Sequence, residues 1–338
     1  MRFSHFLSSY YPNTTYGGKQ LFDDMLEQAR LAERLGFSGV SIPEHHFMDI
    51  LLNPAPLQMA VKVASITERI EVTTAVVVLP FHDIKRLAGE IVVAEILCDG
   101  RLVLGVGRGA FGFEFERFGV PAAESRAKFD EALLVLGKLM SEEDVSWSGR
   151  YYQFEQLTIM PRPMNGSMPP MMIAALAPEA IYHCAKRGFH VQTTPLMGSL
   201  DQLRDQVQAF HNGCNERGTS GGKQRISVLR VGFAASNDQD AGRVKELAHG
   251  YYKRFDNVFT GPNEIVGGAI TPLPREQTVA ELAENLLVGT PDELVEKLAP
   301  YAEAGIDEVN LNMNIGASQA ETLEAMQRFA EEVMPHFS

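Results

Sequence analysis

Short apolar runs alternate along this chain with longer stretches whose apolar residues recur at helical spacing. Residues 3–7 form the first run and predict a strand. Leu21, Met25, Ala29, Ala32 and Leu35 then fall on one face of a helix over 21–35, which Gly36 ends. The same two signals repeat: strands over 39–42 and 70–79, helices over 56–67 and 83–97. Leu102, Val103, Leu104 and Val106 make a run apolar enough for a fully buried strand. Further strands are predicted over 171–175, 190–193, 226–235 and 308–313, and further helices over 127–140, 178–187, 200–217, 241–252, 290–304 and 319–333. Two stretches break the rhythm. Residues 145–168 open with Trp147, Tyr151, Tyr152 and Phe154 in short alternating runs and predict an inserted hairpin. Residues 256–274 are irregular, rich in Gly and Pro, and predict a mobile flap. Eight strand candidates alternating with helices fit one α/β domain over 1–338, a closed (β/α)8 TIM barrel with insertions.

Composition narrows the partners. The 338 residues are 45% hydrophobic, ample for a large core, and carry a net charge of −13. That charge argues against nucleic acid and against anionic membrane as main partners, and it obliges any anionic ligand to find a local positive site. Cys98, Cys184 and Cys214 are widely spaced and odd in number, which fits buried, reduced thiols. The start of the chain runs straight into a strand-like segment, with no export signal, and no apolar stretch reaches membrane-spanning length, so a cytoplasmic protein is expected.

The candidate chemistry gathers where predicted strands end. After the fourth strand comes Gly107-Arg108-Gly109-Ala110-Phe111-Gly112, small residues around one strong cation that can grip a phosphate bidentately. As a dinucleotide fingerprint it fails, because the next clear helix is predicted only near residue 127. A plain glycine turn is the competing reading, and Arg108 lifts the segment above it. Glu44, His45 and His46 follow the second strand. Adjacent histidines on extended chain point opposite ways, so one faces the pocket and the other packs behind it. A structural and a catalytic role weigh about evenly there. His82, after the third strand, reads equally as a helix-capping residue or a ligand contact. No further His, Asp or Glu has metal-ligand spacing. Met160, Met164, Met168, Met171 and Met172 are either core packing or the lining of a greasy substrate cavity. Neither a Gly-x-Ser-x-Gly elbow nor a Walker motif is present.

Together these residues resemble a known family. Glu44-His45-His46-Phe47, Leu79-Pro80-x-His82, Asp99-Gly100-Arg101-x-x-x-Gly105-x-x-Arg108-Gly109, Phe118-Gly119 and Ser125-Arg126 look like the bacterial luciferase-like flavin monooxygenases. Gly289-Thr290-Pro291-Asp292-Glu293 and Ala302-Glu303-Ala304-Gly305-Ile306-Asp307 extend the resemblance over nearly the whole chain. It implies a luciferase-like (β/α)8 barrel, usually a homodimer, that binds FMN in its reduced form, FMNH2, delivered by a separate NAD(P)H:flavin reductase. Reaction with O2 then gives a C4a-peroxyflavin that oxidises a small organic substrate such as an aldehyde or ketone. The resemblance makes His45 the acid–base or peroxide-stabilising residue and sets Arg108 on the flavin phosphate. Ala75-Val76 would lie against the isoalloxazine ring, often through a cis peptide, and Glu44, His46 and His82 would stand on the substrate side or behind. Two departures matter. Where relatives carry a Gly-Ser-Ser-like phosphate turn, this chain has Ala175-Leu176-Ala177-Pro178-Glu179, so only backbone amides remain for the phosphate. The reactive cysteine of luciferase is replaced by Gly107, so light emission is not implied. Two rival readings stand beside this one: an F420-dependent hydride-transfer oxidoreductase on the same barrel, and a non-catalytic flavin-binding partner subunit, which would need neither His45 nor Arg108.

Overall fold

The computed structural model describes residues 1–196, 198–218 and 223–337. Eight parallel strands close into a ring: β1 (Arg2–Phe6), β2 (Gly39–Ile42), β3 (Glu71–Thr74), β4 (Leu102–Gly107), β5 (Met171–Ala174), β6 (His190–Thr193), β7 (Ile226–Ala234) and β8 (Glu308–Asn312). Each pairs with the next, and β8 returns to β1 with Ser4 opposite Asn310. Closure removes the free edges of an open sheet. The apolar positions read from the sequence face the surrounding helices: Ile42, Val72, Leu104, Val106, Val191, Val228, Val309 and Leu311 are fully buried. The lumen is polar near its floor. Ser4 and Ser227 both donate to Glu308 Oε1, at 3.0 and 2.9 Å, and Asn310 Nδ2 reaches Ser41 Oγ at 2.6 Å, from β8 to β2. Arg225, directly before β7, pairs with Glu71 at the start of β3 and so ties opposite parts of the floor.

Several elements differ from expectation for physical reasons. The predicted third strand is split into β3 and a short segment, Val77–Val78, which pairs with the end of β4. The peptide Ala75–Val76 between them is cis, as the resemblance implies. The glycines of β4 serve this junction. A Cβ on Gly105 would lie 1.7 Å from the Thr74 carbonyl oxygen, and one on Gly107 would lie 2.5 Å from Val76 Cγ2. Their smallness therefore seats the neighbouring strand, where the sequence suggested close approach of a ligand. After β4 the chain forms a short helix, Gly112–Arg117, and the next helix is Ser125–Ser141, so the first helix begins well before residue 127. The inserted hairpin is present as Val145–Ser148 paired with Gln153–Leu157.

The helix after β7 runs from Asp238 to Phe259, past both predicted ends, so the first residues of the expected flap are helical. The remainder is tied down: Asn257 Nδ2 donates to the carbonyls of Glu264 and Thr271, and the Ile270 amide donates to Asp49 Oδ1. Sequence reading missed the helix Val279–Glu284 and the strand Leu287–Gly289, which pairs with the end of β7. The five methionines do not gather around one cavity. Met171 and Met172 are buried in β5, whereas Met160 and Met164 are 73% and 49% exposed. All three cysteines are free. Cys98 is buried, which pushes its thiol up to about 11, but Cys184 and Cys214 are only half-buried.

Three outcomes concern stability. Gly105→Ala should cost about 3 kcal/mol in urea denaturation, because the clash is with backbone. Gly89→Ala, on the helix Ile84–Leu97 with nothing within 4 Å of the new Cβ, should instead stabilise by about 1 kcal/mol. His5 in β1 is fully buried, with Nε2 on Gln28 Oε1 at 2.9 Å and no partner for Nδ1 among the described residues. Burial lowers it from 6.5 to about 4, against a smaller upward pull from Gln28. Unfolded chain thus takes up this proton first as pH falls. The contribution is present above pH 6.5 and is lost on the way down to about pH 4, worth roughly 3 kcal/mol. Stability curves of the protein and of His5→Gln should diverge over that window, and parallel curves would refute the assignment.

Candidate active site

The C-terminal ends of β2 to β5 form the mouth at which such barrels place their chemistry. Directly after β2 the chain stays extended, and its side chains alternate. Glu44 turns inward, only 1% exposed. Its Oε2 accepts from the Val78 amide at 2.7 Å, and its Oε1 accepts from His46 Nε2 at 2.9 Å and His82 Nε2 at 2.8 Å. Burial pushes the Glu44 carboxyl up, but the bonds donated by His46, His82 and Val78 outweigh it and hold it below its ordinary range. Both histidines present Nε2 to the same carboxylate, so both are donors there. His46 also packs edge-on to Phe118, which stacks on Phe81.

His45 points the other way. Its ring stacks on Phe111, with centroids 4.4 Å apart, and its Nδ1 lies 3.1 Å from Glu114 Oε2. Glu114 is fully buried and also accepts the His46 amide at 2.6 Å. A carboxylate at Nδ1 fixes that nitrogen as the donor and leaves Nε2 to exchange protons. The sequence does not single out Glu114, because its pattern predicts no helix between Gly112 and residue 127. The signal was there: an acidic residue between Phe113 and Phe115, three positions after Phe111, in the first turn of a helix.

The other predicted residues are on the same rim. Ala75 and Val76 are half-buried at the cis peptide, and Ala174, at the tip of β5, is exposed although it lies in a barrel strand. These short side chains are reached by solvent. Arg108 is exposed and makes no hydrogen bond or ion pair among the described residues. In a chain of net charge −13 such a cation is available to an anion. Beyond β5, Ala175 is buried, while Leu176 and Ala177 are exposed at the start of the helix Pro178–Lys186. Ala177 is the N-cap and supplies no side-chain cap, so the first amides of this helix are open. Arg108 and this helix N-terminus follow two paired strands, β4 and β5, and offer a guanidinium and backbone amides to a phosphate. The residues present therefore fit a phosphorylated planar cofactor, without any hydroxyl. Among the described residues no group of His, Cys, Asp or Glu can hold a metal ion.

The long helix Asp238–Phe259 reaches this mouth from β7. Phe255 meets Phe111 edge-on at 6.0 Å, and the Phe113 amide donates to Asn263 Oδ1 at 3.3 Å. His45 thus faces an aromatic wall contributed by distant parts of the chain. A separate cavity of about 270 Å³, lined by Tyr10, Asp24, Gln28 and Asn314 among others, lies between the helices Gly18–Leu35 and Gln319–Arg328.

Comparison with known proteins agrees with this geometry. A family model described as luciferase-like monooxygenase matches residues 1–308. The oxygenase component of a flavin-dependent trigonelline monooxygenase from Acinetobacter baylyi is 29% identical, covering 100% of this chain and 96% of that protein. Among solved structures, the monooxygenase RslO1 from Streptomyces bottropensis superposes with a TM-score of 0.87 at 26% identity, covering 100% of both chains. The oxygenating constituent of 3,6-diketocamphane monooxygenase from Pseudomonas putida, solved with FMN, shares the fold with a TM-score of 0.81 at 22% identity, over 99% of this chain and 98% of that one. With a barrel of this topology, a histidine–carboxylate pair at its mouth and a family match over most of its length, the chain belongs to the luciferase-like monooxygenases.

Proposed function

We propose that this chain is the oxygenase component of a two-protein system, taking FMNH2 from a separate NAD(P)H:flavin reductase and using O2 to oxidise a small organic substrate. The observation that carries the reading is His45, held by Glu114 at Nδ1 and stacked on Phe111 at the same rim as Ala75, Val76 and Ala174. Reduced FMN, when bound, supplies the electrons that activate O2, a reaction no side chain performs. Arg108 and the open amides after Ala175-Leu176 would hold its phosphate, and Ala75-Val76 would carry its ring.

The protein's own part is proton management and shielding. His45 Nε2 is the exchangeable position, because Glu114 occupies Nδ1. An imidazole so oriented can donate to an oxygen atom or take a proton from substrate. Phe111 and Phe255 exclude water from that side. Glu44, His46 and His82 form the support behind it. The expected cytoplasmic location is part of the same proposal; no helix among the described residues is long and apolar enough to cross a membrane. A homodimer is supported by an apolar groove along the helices Pro56–Ala64 and Ile84–Leu97, where Val93, Leu97 and Met160 are 43%, 53% and 73% exposed. Light scattering should give twice the chain mass, and a monomer at micromolar concentration would count against it.

The central test is oxygen consumption by protein, photoreduced FMN and a panel of aldehydes and ketones. Substrate-dependent uptake with incorporation of labelled oxygen is expected; tight F420 binding with hydride transfer and no uptake would favour the rival enzyme. His45→Ala should keep its fold and flavin binding and lose about 10²–10⁴-fold in rate. Glu114→Gln should lose less and shift the pH profile, since it alters the orienting group. His46→Ala should act mainly on stability. Arg108→Ala should weaken FMN binding about 10- to 100-fold, the loss of one charge-assisted bidentate contact. An unchanged dissociation constant would mean that the phosphate binds elsewhere.

A further inference from the structure

We infer that Gln206 is a positioning residue for the phosphate site, setting the direction of the Ala177 amide. The inference rests on the reading of residues 175–177 as the phosphate turn. Gln206 lies on the helix Leu200–Arg217, which packs against the helix Pro178–Lys186 outside the barrel, and it is fully buried. Its Nε2 donates to the Leu176 carbonyl at 2.8 Å and to the Thr194 carbonyl at 3.2 Å. Leu176 follows β5 and Thr194 follows β6, so one side chain joins two successive rim loops from behind.

The consequence is geometric. The peptide between Leu176 and Ala177 is trans. In a planar trans unit the carbonyl and the N–H point in opposite directions. Turning the Leu176 oxygen back toward Gln206 therefore turns the Ala177 N–H away from that helix, toward the exposed side of the turn. This matters more here than in a turn with hydroxyls. Residues 175–177 carry no side-chain donor, and Pro178 at the first helical position has no N–H. The Ala177 amide is thus the donor nearest the start of the helix, and its direction is decided by the peptide plane that Gln206 holds. Among the described residues Gln206 Oε1 has no hydrogen-bond partner although it is buried. A leucine or methionine would fill the same space without that penalty, so packing alone does not account for an amide at this position.

The test separates phosphate recognition from general stability. Apoprotein, Gln206→Met and Gln206→Leu are titrated with FMN and with riboflavin, which lacks the phosphate, following flavin fluorescence, and each protein is melted in parallel. Neither variant side chain can donate as the amide does. FMN binding is expected to weaken about 10-fold while riboflavin binding is unchanged, so that the ratio of the two affinities falls. Equal losses for both flavins, or an unchanged ratio, would overturn the positioning role. If Gln206→Met does not fold, the ratio in Gln206→Leu, which likewise carries no donor, decides. Should the unaltered protein bind FMN and riboflavin alike, the phosphate reading itself fails, and this inference with it; a preference for FMN that survives both substitutions sinks the inference alone.

Discussion

A buried carboxylate with donors from three directions holds the mouth of this barrel together. Glu44 gathers His46 from its own loop, His82 from the turn after β3, and the amide of Val78 just beyond the cis peptide. A carboxylate this deep is tolerable only because every donor is supplied; remove it and two imidazoles and an amide lose their acceptor at once. The wall at Ala75-Val76 and the loop that carries His45 are thereby fixed to each other. Whatever His45 does, it does from a frame set by Glu44.

A second constraint acts between β3 and β4. The Thr74 hydroxyl donates to the Gly105 carbonyl at 2.8 Å, and the Thr74 carbonyl occupies the space where a side chain on Gly105 would be. The chain past Thr74 therefore lies closer to β4 than two ordinary strands allow. The polar lumen works toward the same rigidity from below. Glu308, Ser4 and Ser227 bond across three strands, and Arg225 crosses to Glu71. A barrel pinned at floor and mouth can hold a site built on loops, because the strand ends that carry those loops are fixed.

At the mouth itself, the two histidines show how one residue of offset divides labour. His45 reaches Glu114 and an aromatic wall, and His46 reaches Glu44 and Phe118. The two carboxylates are not interchangeable. Glu44 braces, whereas Glu114 orients one ring and anchors the His46 amide. The segment after β7 completes the enclosure, bringing Phe255 to Phe111 and Asn263 to Phe113 from more than a hundred residues away.

The alternation of apolar runs and amphipathic stretches was enough to determine the barrel, because burying eight such strands with helices between them has one closed solution. Local chemistry was equally legible: opposite facing of His45 and His46 follows from extended backbone alone, and Arg108 stood out as a cation in an acidic chain. What depended on contacts between distant residues was not legible. No spacing in the sequence links Glu114 to His45 or Gln206 to Leu176, since those pairs lie 69 and 30 residues apart and are brought together only by barrel closure. Nor could composition tell that Gly105 makes room for the Thr74 backbone and Gly107 for the Val76 side chain, or that five methionines close in sequence would divide between core and surface. Residue type and periodicity determine which face is buried; which partner waits on the other side is decided by the tertiary fold, because that partner comes from another strand's loop.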